Sequence, residues 1–299
     1  MNKKWKIAAA LLVILFVTGA AVGTTTLLKG KPFKWKSHKE IEKEKVTAET
    51  LEYMKKSYNE EFEIESVKYI PQNKSYAIML HPKTAPDLKI RVLKWAMGGN
   101  ELTDDYVTTR RFRQTTNYFR HFANDISNKN LFHANFHDQV RKGEMYWNMK
   151  YSIEDLIKNE SKKTRIVVAM FFFFDITEEN VDEVCKKLYK MVKYMQDADI
   201  GEVEMEVLFF SEDYFAGKDV EKINREEMGP AGMMNFQSIY SEYSLTRISI
   251  FNKMVRYKDI KNYRDIKSYK DIKRIMRYKK FTGTIDTVTD RRDFEWIGK

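Results

Sequence analysis

Cysteine, proline and glycine are scarce in this chain, and each scarcity excludes a class of protein. The single cysteine, Cys185, excludes an internal disulfide framework and a cysteine-cluster site for a metal or an iron–sulfur group. Five prolines and 12 glycines exclude collagen-like and proline-rich low-complexity sequence. The chain also lacks a phosphate-binding glycine loop, a nucleophile elbow and a paired-cysteine motif. The sequence therefore predicts no catalytic residue, no cofactor and no metal site, although many active sites have no local signature.

The remaining composition is that of a folded protein with an uneven charge. Hydrophobic residues make up 43% and charged residues 32% of the 299 residues, so the chain can bury a core. The net charge is +10, and residues 251–280 alone contain 12 Lys or Arg against three Asp, a net charge of +9. The excess positive charge is therefore concentrated in one segment near the C-terminus.

A long uncharged run lies near the N-terminus, at residues 7–28. As a helix these 22 residues are long enough to span a bilayer, because ~1.5 Å per residue gives about 33 Å against a hydrocarbon core of about 30 Å. Trp5 and Trp35 flank the run, where interfacial aromatic residues belong. The run predicts an uncleaved transmembrane anchor over residues 1–28. A signal peptide cut after Gly23 is the alternative, with a poor cleavage site and a long apolar region.

The orientation of this anchor is open on the sequence. Residues 29–45 contain seven lysines against three before the run, which by counting favours a cytoplasmic C-terminus. A short N-terminus with three lysines is, however, a typical start for a signal anchor that leaves the C-terminus outside. We expect the second orientation, with the rest of the chain outside the cytoplasm.

Residues 29–46 are lysine-rich and predict a polar tether, and a first module follows over residues 47–130. Thr47 is placed to cap a helix that ends near Tyr58, and Asp104 predicts the start of a second helix. Between them, alternating apolar residues predict a meander of three strands. The alternation lies in Phe62, Ile64, Val67 and Tyr69, in Tyr76, Ile78 and Leu80, and in Leu88, Ile90 and Val92. Helices laid on one face of this sheet give an α+β module.

The first module also carries turn and packing motifs that resemble a known family. They are residues 47–58 beginning Thr47-Ala48-Glu49, residues 61–67, Tyr76, His81-Pro82-Lys83, Pro86-Asp87-Leu88 and Asp104-Asp105-Tyr106. Over residues 47–126 the pattern is similar to a family of uncharacterised membrane-anchored or secreted cell-envelope proteins of Firmicutes. The resemblance implies a fold and an envelope location, and no catalytic residue. The chain lacks the lipobox cysteine of the family's commoner lipoprotein form, so lipid anchoring is not implied.

A second module is predicted over residues 161–251, after a connector over residues 131–160. Nine apolar residues, 166–174, predict a strand that is covered on both faces. Asp175 or Thr177 caps the next helix, and Gly201 ends it. Alternating glutamate and apolar residues over 202–209 predict a half-exposed strand. Residues 214–244 predict a long loop, residues 245–251 a further strand, and residues 283–299 a polar tail.

A six-residue repeat occupies the basic segment between these regions, residues 252–282. The sequence Tyr-Lys-Asp-Ile-Lys at residues 257–261 recurs with one change at residues 263–267 and unchanged at residues 269–273. In an α-helix each repeat is rotated by about 240° from the last, and in a strand the tyrosines and isoleucines take opposite faces. Neither pattern is a clean amphipathic element. Short turns that each dock one Tyr and one Ile are the third possibility.

The repeat is the main candidate for a binding site. Basic side chains interleaved with tyrosines suit an anionic membrane surface, an anionic envelope polymer, or a nucleic acid whose bases stack on the rings. A solvated segment that binds nothing specific is the remaining possibility. The residues predicted to contact an anionic surface are Lys258, Lys261, Arg264, Lys267, Lys270 and Lys273.

Few other residues suggest chemistry. His133 and His137 have the four-residue spacing that places two imidazoles on one helix face, but a zinc-protease glutamate and a third ligand are missing. Cys185 lies in an apolar helical stripe, which predicts a buried side chain and not a nucleophile. A row of glutamates predicts a solvated strand face: Glu202, Glu204 and Glu206.

Taken together, the sequence predicts an α+β protein with an N-terminal transmembrane helix followed by two small sheet-plus-helix modules. We expect a single-pass protein of the cell membrane, held in the lipid bilayer through residues 7–28, that acts as a non-catalytic binding or structural module of the envelope. Two alternatives stay open. One is a cytoplasm-facing protein that binds nucleic acid through the repeat, and the other is a hydrolase supported only by the histidine pair.

Overall fold

The computed structural model describes six stretches of the chain, which form a mixed α+β fold of two sheets and six α-helices. The described residues are 37–95, 101–136, 144–211, 246–250, 260–281 and 294–297. The helices are α1 His38–Tyr58, α2 Tyr106–Ile126, α3 Glu144–Trp147, α4 Ile153–Glu160, α5 Val181–Asp197 and α6 Tyr269–Ile275. The strands are β1 Phe62–Ile70, β2 Ser75–Pro82, β3 Ile90–Trp95, β4 Leu102–Asp104, β5 Asn130–Phe136, β6 Arg165–Phe173, β7 Glu202–Phe210, β8 Thr246–Ile250, β9 Arg277–Phe281 and β10 Phe294–Ile297. The predicted α+β class is confirmed.

Two predicted segments lie outside these stretches, namely the anchor run at residues 7–28 and the long loop at residues 214–244. Within the described stretches, none of the helices combines the length and the apolar character that crossing a bilayer requires.

Helix α1 begins within the predicted tether, well before Thr47. Its N-cap is Ser37, whose hydroxyl accepts a hydrogen bond from the Glu40 backbone N–H while the Glu40 carboxylate accepts from the Ser37 backbone. Residues 38–45 are all exposed, so they carry no apolar periodicity that would have indicated a helix. Val46, Thr50 and Met54 begin the buried stripe. The prediction that Thr47 caps this helix is therefore wrong.

The first sheet is an antiparallel meander in the order β1-β2-β3-β4. The three predicted strands are present, and a fourth strand of three residues, β4, pairs with β3 so that Asp104 lies opposite Val92. The prediction of three strands is therefore one strand short. A strand of this length has too few residues to show an alternation, so sequence periodicity does not detect it.

The second sheet has six strands in the order β10-β9-β8-β7-β6-β5. Strands β6 and β7 are parallel and are connected through α5, and the other pairs are antiparallel. The last five residues of β6 are all buried, which confirms the prediction of a strand covered on both faces. Strand β5 begins at Asn130, the last residue of the predicted first module, continues into the predicted connector, and pairs along its whole length with β6. It is almost continuously buried and contains Asn and His, so its sequence lacks the signature of a half-exposed strand.

Helix α2 joins the two sheets. The Thr116 hydroxyl donates to the Ala134 carbonyl of β5 at 3.1 Å and accepts from the Ala134 backbone N–H at 3.2 Å. The Tyr118 and Tyr194 hydroxyls, on α2 and α5, are 2.6 Å apart. Buried residues from Val46 on α1 to Met276, just after α6, form one hydrophobic cluster. The core is therefore continuous from the first sheet, through α2, to the second sheet.

Candidate functional site

The repeat folds into two consecutive turns that have the same cap. A 3-10 turn covers Tyr263–Asp265 and is followed by α6. The Asp265 carboxylate accepts the backbone N–H groups of residues 261 and 262 at 2.8 and 3.1 Å, and the Asp271 carboxylate accepts those of residues 267 and 268 at 2.9 Å. The repeated aspartate therefore caps the backbone in both described units, at a 3-10 turn in the first and at the start of α6 in the second. The first of these units agrees with the short turns among the three possibilities, and the second is a short α-helix.

The apolar and tyrosine side chains of the repeat point inward with a spacing of three residues. The buried members are Ile260, Tyr263, Ile266, Ile272 and Ile275. Tyr263 is only 2% exposed, and its hydroxyl donates to the Ile200 carbonyl. The Gln196 side chain on α5 donates to the carbonyls of Tyr263 and Ile266, both at 2.8 Å. The repeat is thus docked against α5 and the start of β7.

The basic side chains of the repeat are exposed at the same interval of three residues. We call five of them the basic row: Lys261, Arg264, Lys267, Lys270 and Lys273. The sixth predicted contact residue, Lys258, lies outside the described residues. Residues 260–276 contain six basic and two acidic side chains, a net charge of +4. The fold therefore exposes the described basic residues while the apolar side chains between them are buried.

Two members of the basic row are engaged by carboxylates. Arg264 contacts Asp199 at 3.0 Å, and Lys273 contacts Asp182 at 2.6 Å. The hydrogen bond from Lys273 lowers the pKa of Asp182. Lys267 donates from Nζ to the Arg264 carbonyl at 2.8 Å. Across the described part of the chain, Lys261, Lys267 and Lys270 are exposed and form no ion pair.

His133 does not lie on a helix, so the helix-face arrangement that the four-residue spacing would allow is absent at this residue. His133 lies on strand β5, is 3% exposed, and stacks on Phe112 with ring centroids 5.4 Å apart and planes 15° apart. The residues around His133 pair as a strand with β6. His137 lies outside the described residues. Over the described ranges, no three His, Cys, Asp or Glu side chains are placed to share a metal ion.

The remaining single-residue predictions have mixed outcomes. Cys185 is buried, as predicted, and burial raises the pKa of its thiol to about 12. Glu202 and Glu204 are partly exposed and contact Arg165 at 3.6 and 2.5 Å. Glu206 is 4% exposed, so the prediction of a solvated glutamate face is wrong there. The reason is that β7 lies between β6 and β8 and is covered along its second half.

One arrangement that sequence reasoning missed lies on α2 and the chain that follows β5. Arg111 is completely buried and donates to the backbone of residues 145–151. The available signal was its helical spacing, since Arg111 precedes Thr115 and Phe119 by four and eight residues on the buried face of α2. The adjacent Arg110 faces a groove that this backbone segment borders.

Neither a protein-family model nor a curated protein matches the chain. Among solved structures, the chain is similar to the crystal structure of a DUF5037 family protein from Ruminococcus gnavus ATCC 29149 at 2.55 Å resolution. The two share 15% identity and a TM-score of 0.44, and the match covers 76% of this chain and 99% of that one. The description of that protein names a family and no activity, so the function is argued from this chain's own residues.

Proposed function

We propose that the chain is a single-pass membrane protein of the cell envelope whose folded part lies outside the cytoplasm and acts as a non-catalytic binding module. The uncharged 22-residue run at residues 7–28, preceded by a short N-terminus with three lysines, supports the anchor and its orientation. The resemblance of residues 47–126 to envelope proteins agrees with this location. The partner that the charge distribution favours is the anionic surface of the membrane itself.

The basic row is the observation that carries this proposal. Its five side chains are all exposed, while the buried tyrosine and isoleucines of the repeat hold the backbone in place. A basic residue near an anionic leaflet contributes about 1 kcal/mol to binding. Because Asp199 and Asp182 already engage Arg264 and Lys273, the largest contributions are expected from Lys261, Lys267 and Lys270.

The tyrosines of the repeat favour a membrane surface over a nucleic acid. Binding of single-stranded nucleic acid combines backbone charge with exposed aromatic rings on which bases stack. Tyr263 is buried, and Tyr269 is half-buried with the Lys186 ammonium 5.2 Å from its ring centroid. Because both rings are at least half-buried, residues 260–276 offer positive charge without an exposed aromatic ring on which a base could stack.

The location is tested with reporters fused after Lys299. An export-dependent reporter is expected to be active and a cytoplasm-dependent reporter inactive. The reverse pattern would overturn the envelope location and favour the cytoplasm-facing alternative. N-terminal sequencing of the protein from cells tests the anchor, since a mature chain that starts near Thr24 would mean a cleaved signal peptide.

The membrane contact is tested by hydrogen exchange of the full chain in nanodiscs. Residues 260–276 are expected to exchange more slowly in phosphatidylglycerol discs than in phosphatidylcholine discs. The difference should disappear at high salt, because the Debye length falls from about 10 Å at 0.1 M to about 3 Å at 1 M. Parallel titrations with a glycerol-phosphate polymer and with DNA, both in phosphatidylcholine discs, examine the other anionic partners.

A charge-matched pair of variants gives the control. Replacing Lys261, Lys267 and Lys270 with Gln should abolish the slower exchange, whereas replacing the exposed Lys56, Lys68 and Lys74 with Gln should preserve it. Equal exchange in both kinds of disc would contradict the membrane contact. Protection by DNA alone, together with a cytoplasmic reporter pattern, would replace the proposal with the nucleic-acid alternative.

A further inference from the structure

A groove of about 610 Å³ lies between the end of α1, the start of α2 and the segment that follows α3. Its volume falls within the roughly 300–1,000 Å³ of known ligand pockets. We call it the indole groove, after the exposed Trp147 on its rim. Its lining also includes Tyr58, Glu60, Tyr106, Arg110 and Lys150. The indole groove is separate from the basic row and has no part in the function proposed above.

The floor of the indole groove is a pair of tyrosines whose hydroxyls are hydrogen-bonded to carboxylates of the protein. The rings of Tyr58 and Tyr106 have centroids 4.3 Å apart. The Tyr58 hydroxyl donates to Asp104 at 2.7 Å, and the Tyr106 hydroxyl donates to Glu60. Burial, followed by the hydrogen bond to Glu60, raises the pKa of Tyr106 to about 12. The floor is therefore rigid and neutral.

One wall of the groove is a fixed pair of opposite charges. Glu60 accepts hydrogen bonds from Thr84, Tyr106 and Arg110, the last at 3.1 Å. Burial opposes ionisation of Glu60, but these hydrogen bonds and the Arg110 charge lower its pKa overall, so it is a carboxylate at neutral pH. The Arg110 guanidinium lies over the Tyr106 ring, 5.5 Å from its centroid, and 39% of its side chain is exposed. This wall presents both a donor and an acceptor to a ligand.

The opposite wall is a backbone segment that Arg111 holds in place. The Arg111 guanidinium donates to the carbonyls of Tyr146 at 2.9 Å, Asn148 at 2.8 Å and Tyr151 at 2.7 Å. A fourth bond reaches the Met145 carbonyl at 3.3 Å. Because one planar group binds four carbonyls in seven residues, the segment that carries Trp147 has a defined position. Two neighbouring arginines on α2 therefore have different roles. Arg110 lines the groove, and Arg111 holds the backbone segment that forms its opposite wall.

We propose that the indole groove binds an oligosaccharide, with one sugar ring stacked on Trp147. A pyranose ring has a face of C–H groups and an edge of hydroxyls, and the face packs on an aromatic surface. Half of Trp147 is exposed, although a side chain of this size is usually covered. Exposed donors and acceptors surround it: Ser57, Asn59, Arg110, Asn148 and Lys150. Such a mixture matches hydroxyls, each of which both donates and accepts.

A proline-rich peptide is the closest competitor, since such peptides also dock on aromatic grooves. That mode uses a ridge of several exposed aromatic rings. In the indole groove Tyr106 is 1% exposed and Tyr58 is half-buried, so Trp147 is the exposed ring among the three. One exposed ring with a polar surround fits a sugar better than a polyproline helix.

The test is calorimetry with the full chain in a zwitterionic detergent that has no sugar headgroup. The probes are three six-unit oligosaccharides, of N-acetylglucosamine, of glucose and of galacturonic acid, and a proline-rich decapeptide. At least one oligosaccharide is expected to bind wild type with a Kd below about 1 mM. Trp147→Ala should weaken that binding by roughly tenfold or more. Trp95→Ala, at another exposed tryptophan on strand β3, is the matched control and should bind like wild type.

A second variant covers the case in which Trp147→Ala disturbs the fold. Lys150→Glu changes only an exposed side chain, and it should weaken the galacturonate probe relative to the neutral probes by several-fold. Three results would overturn the proposal: no binding of any oligosaccharide by wild type, binding that both Trp147→Ala and Lys150→Glu leave unchanged, or binding of the peptide alone. None of these results concerns the basic row, so the two proposals fail independently.

Discussion

Arg111 shows how one residue determines the shape of a distant segment. It is fully buried on α2, and the acceptors described around it are the amide oxygen of Gln114 and four backbone carbonyls of residues 145–151. Burial lowers the pKa of the guanidinium, yet arginine stays charged at every physiological pH. A buried charge of this kind is costly unless every donor is satisfied. The carbonyls that satisfy it are the ones that place Trp147.

We predict that Arg111→Met lowers the free energy of unfolding by about 3 kcal/mol, because it leaves buried carbonyls without a donor. Urea unfolding followed by circular dichroism measures the change. The matched control is Arg113→Met, two residues away. Arg113 is exposed and contacts Asp87 at 2.8 Å, so its loss should cost about 1 kcal/mol or less. Equal midpoints for the two variants would mean that Arg111 does not organise the segment.

Cys185 is the second residue whose environment makes a clear prediction. Its thiol is buried on α5, and burial raises the thiol pKa to about 12. Because only the thiolate reacts, the folded protein at pH 8 should not react with a thiol-specific disulfide reagent, even though an ordinary thiol is partly ionised there. In about 6 M guanidinium chloride one thiol per chain should react at once. Rapid reaction without denaturant would show that the α5 stripe opens in the native state.

At the scale of elements, the described part of the repeat is a capped 3-10 turn followed by the short capped helix α6, and not one continuous helix or strand. Asp265 and Asp271 each accept two backbone N–H groups, and an inward Tyr or Ile follows at every third position. A spacing of three places the basic side chains together on the outside. The six-residue period of the sequence is therefore two three-residue steps, in which tyrosine and isoleucine take equivalent inward positions.

We predict that Asp271→Ala lowers the free energy of unfolding by about 1 kcal/mol, the usual cost of losing a helix cap. The variant also adds one unit of net positive charge, so binding to an anionic surface should not weaken. Asp197→Ala makes the same charge change on α5, where Asp197 contacts Lys193 in an exposed pair. That control should cost about 0.5 kcal/mol or less. Thermal melts of the two proteins compare them directly, and no difference between them would contradict the capping role.

At the scale of the whole molecule, α2 makes the two sheets depend on one another. It follows β4 of the first sheet in sequence, but Thr116 bonds to Ala134 of β5, Tyr118 to Tyr194 of α5, and Arg111 to residues 145–151. Phe119 and Ala123 on the same helix are 0% exposed. The two modules expected from the sequence, residues 47–130 and residues 161–251, therefore share one hydrophobic core.

We predict that residues 37–129 alone do not fold cooperatively, because removing β5 and α5 exposes the apolar face of α2. Circular dichroism of this fragment should show no sigmoidal thermal transition, and its amide proton spectrum should have narrow dispersion. The full chain, measured beside it, should melt in a sharp transition. A cooperative melt of the fragment would establish the first module as an independent domain.

Local patterns in the sequence were sufficient for the elements whose residues alternate or are uniformly apolar. Strands β1, β2, β3, β6 and β7 and the stripe of α5 were all predicted from such patterns, since burial on one face or both leaves a period in the chain. The start of α1, strand β5 and the short strand β4 were not. The start of α1 is exposed on every side, and β5 is buried almost throughout, so neither has a hydrophobic period. Strand β4 has too few residues for a period to be visible.

The order of residues by itself determined where along the chain the positive charge is concentrated, because the charge of a side chain does not depend on the fold. Only the tertiary structure decided that all five residues of the basic row are exposed, since this depends on how the inward side chains of the repeat dock against α5 and the chain that precedes β7. Only the tertiary structure also made the indole groove. Its walls come from residues 57–60, 106–110 and 147–150. Such distant segments meet through packing and through the hydrogen bonds of one buried arginine, which no local pattern encodes.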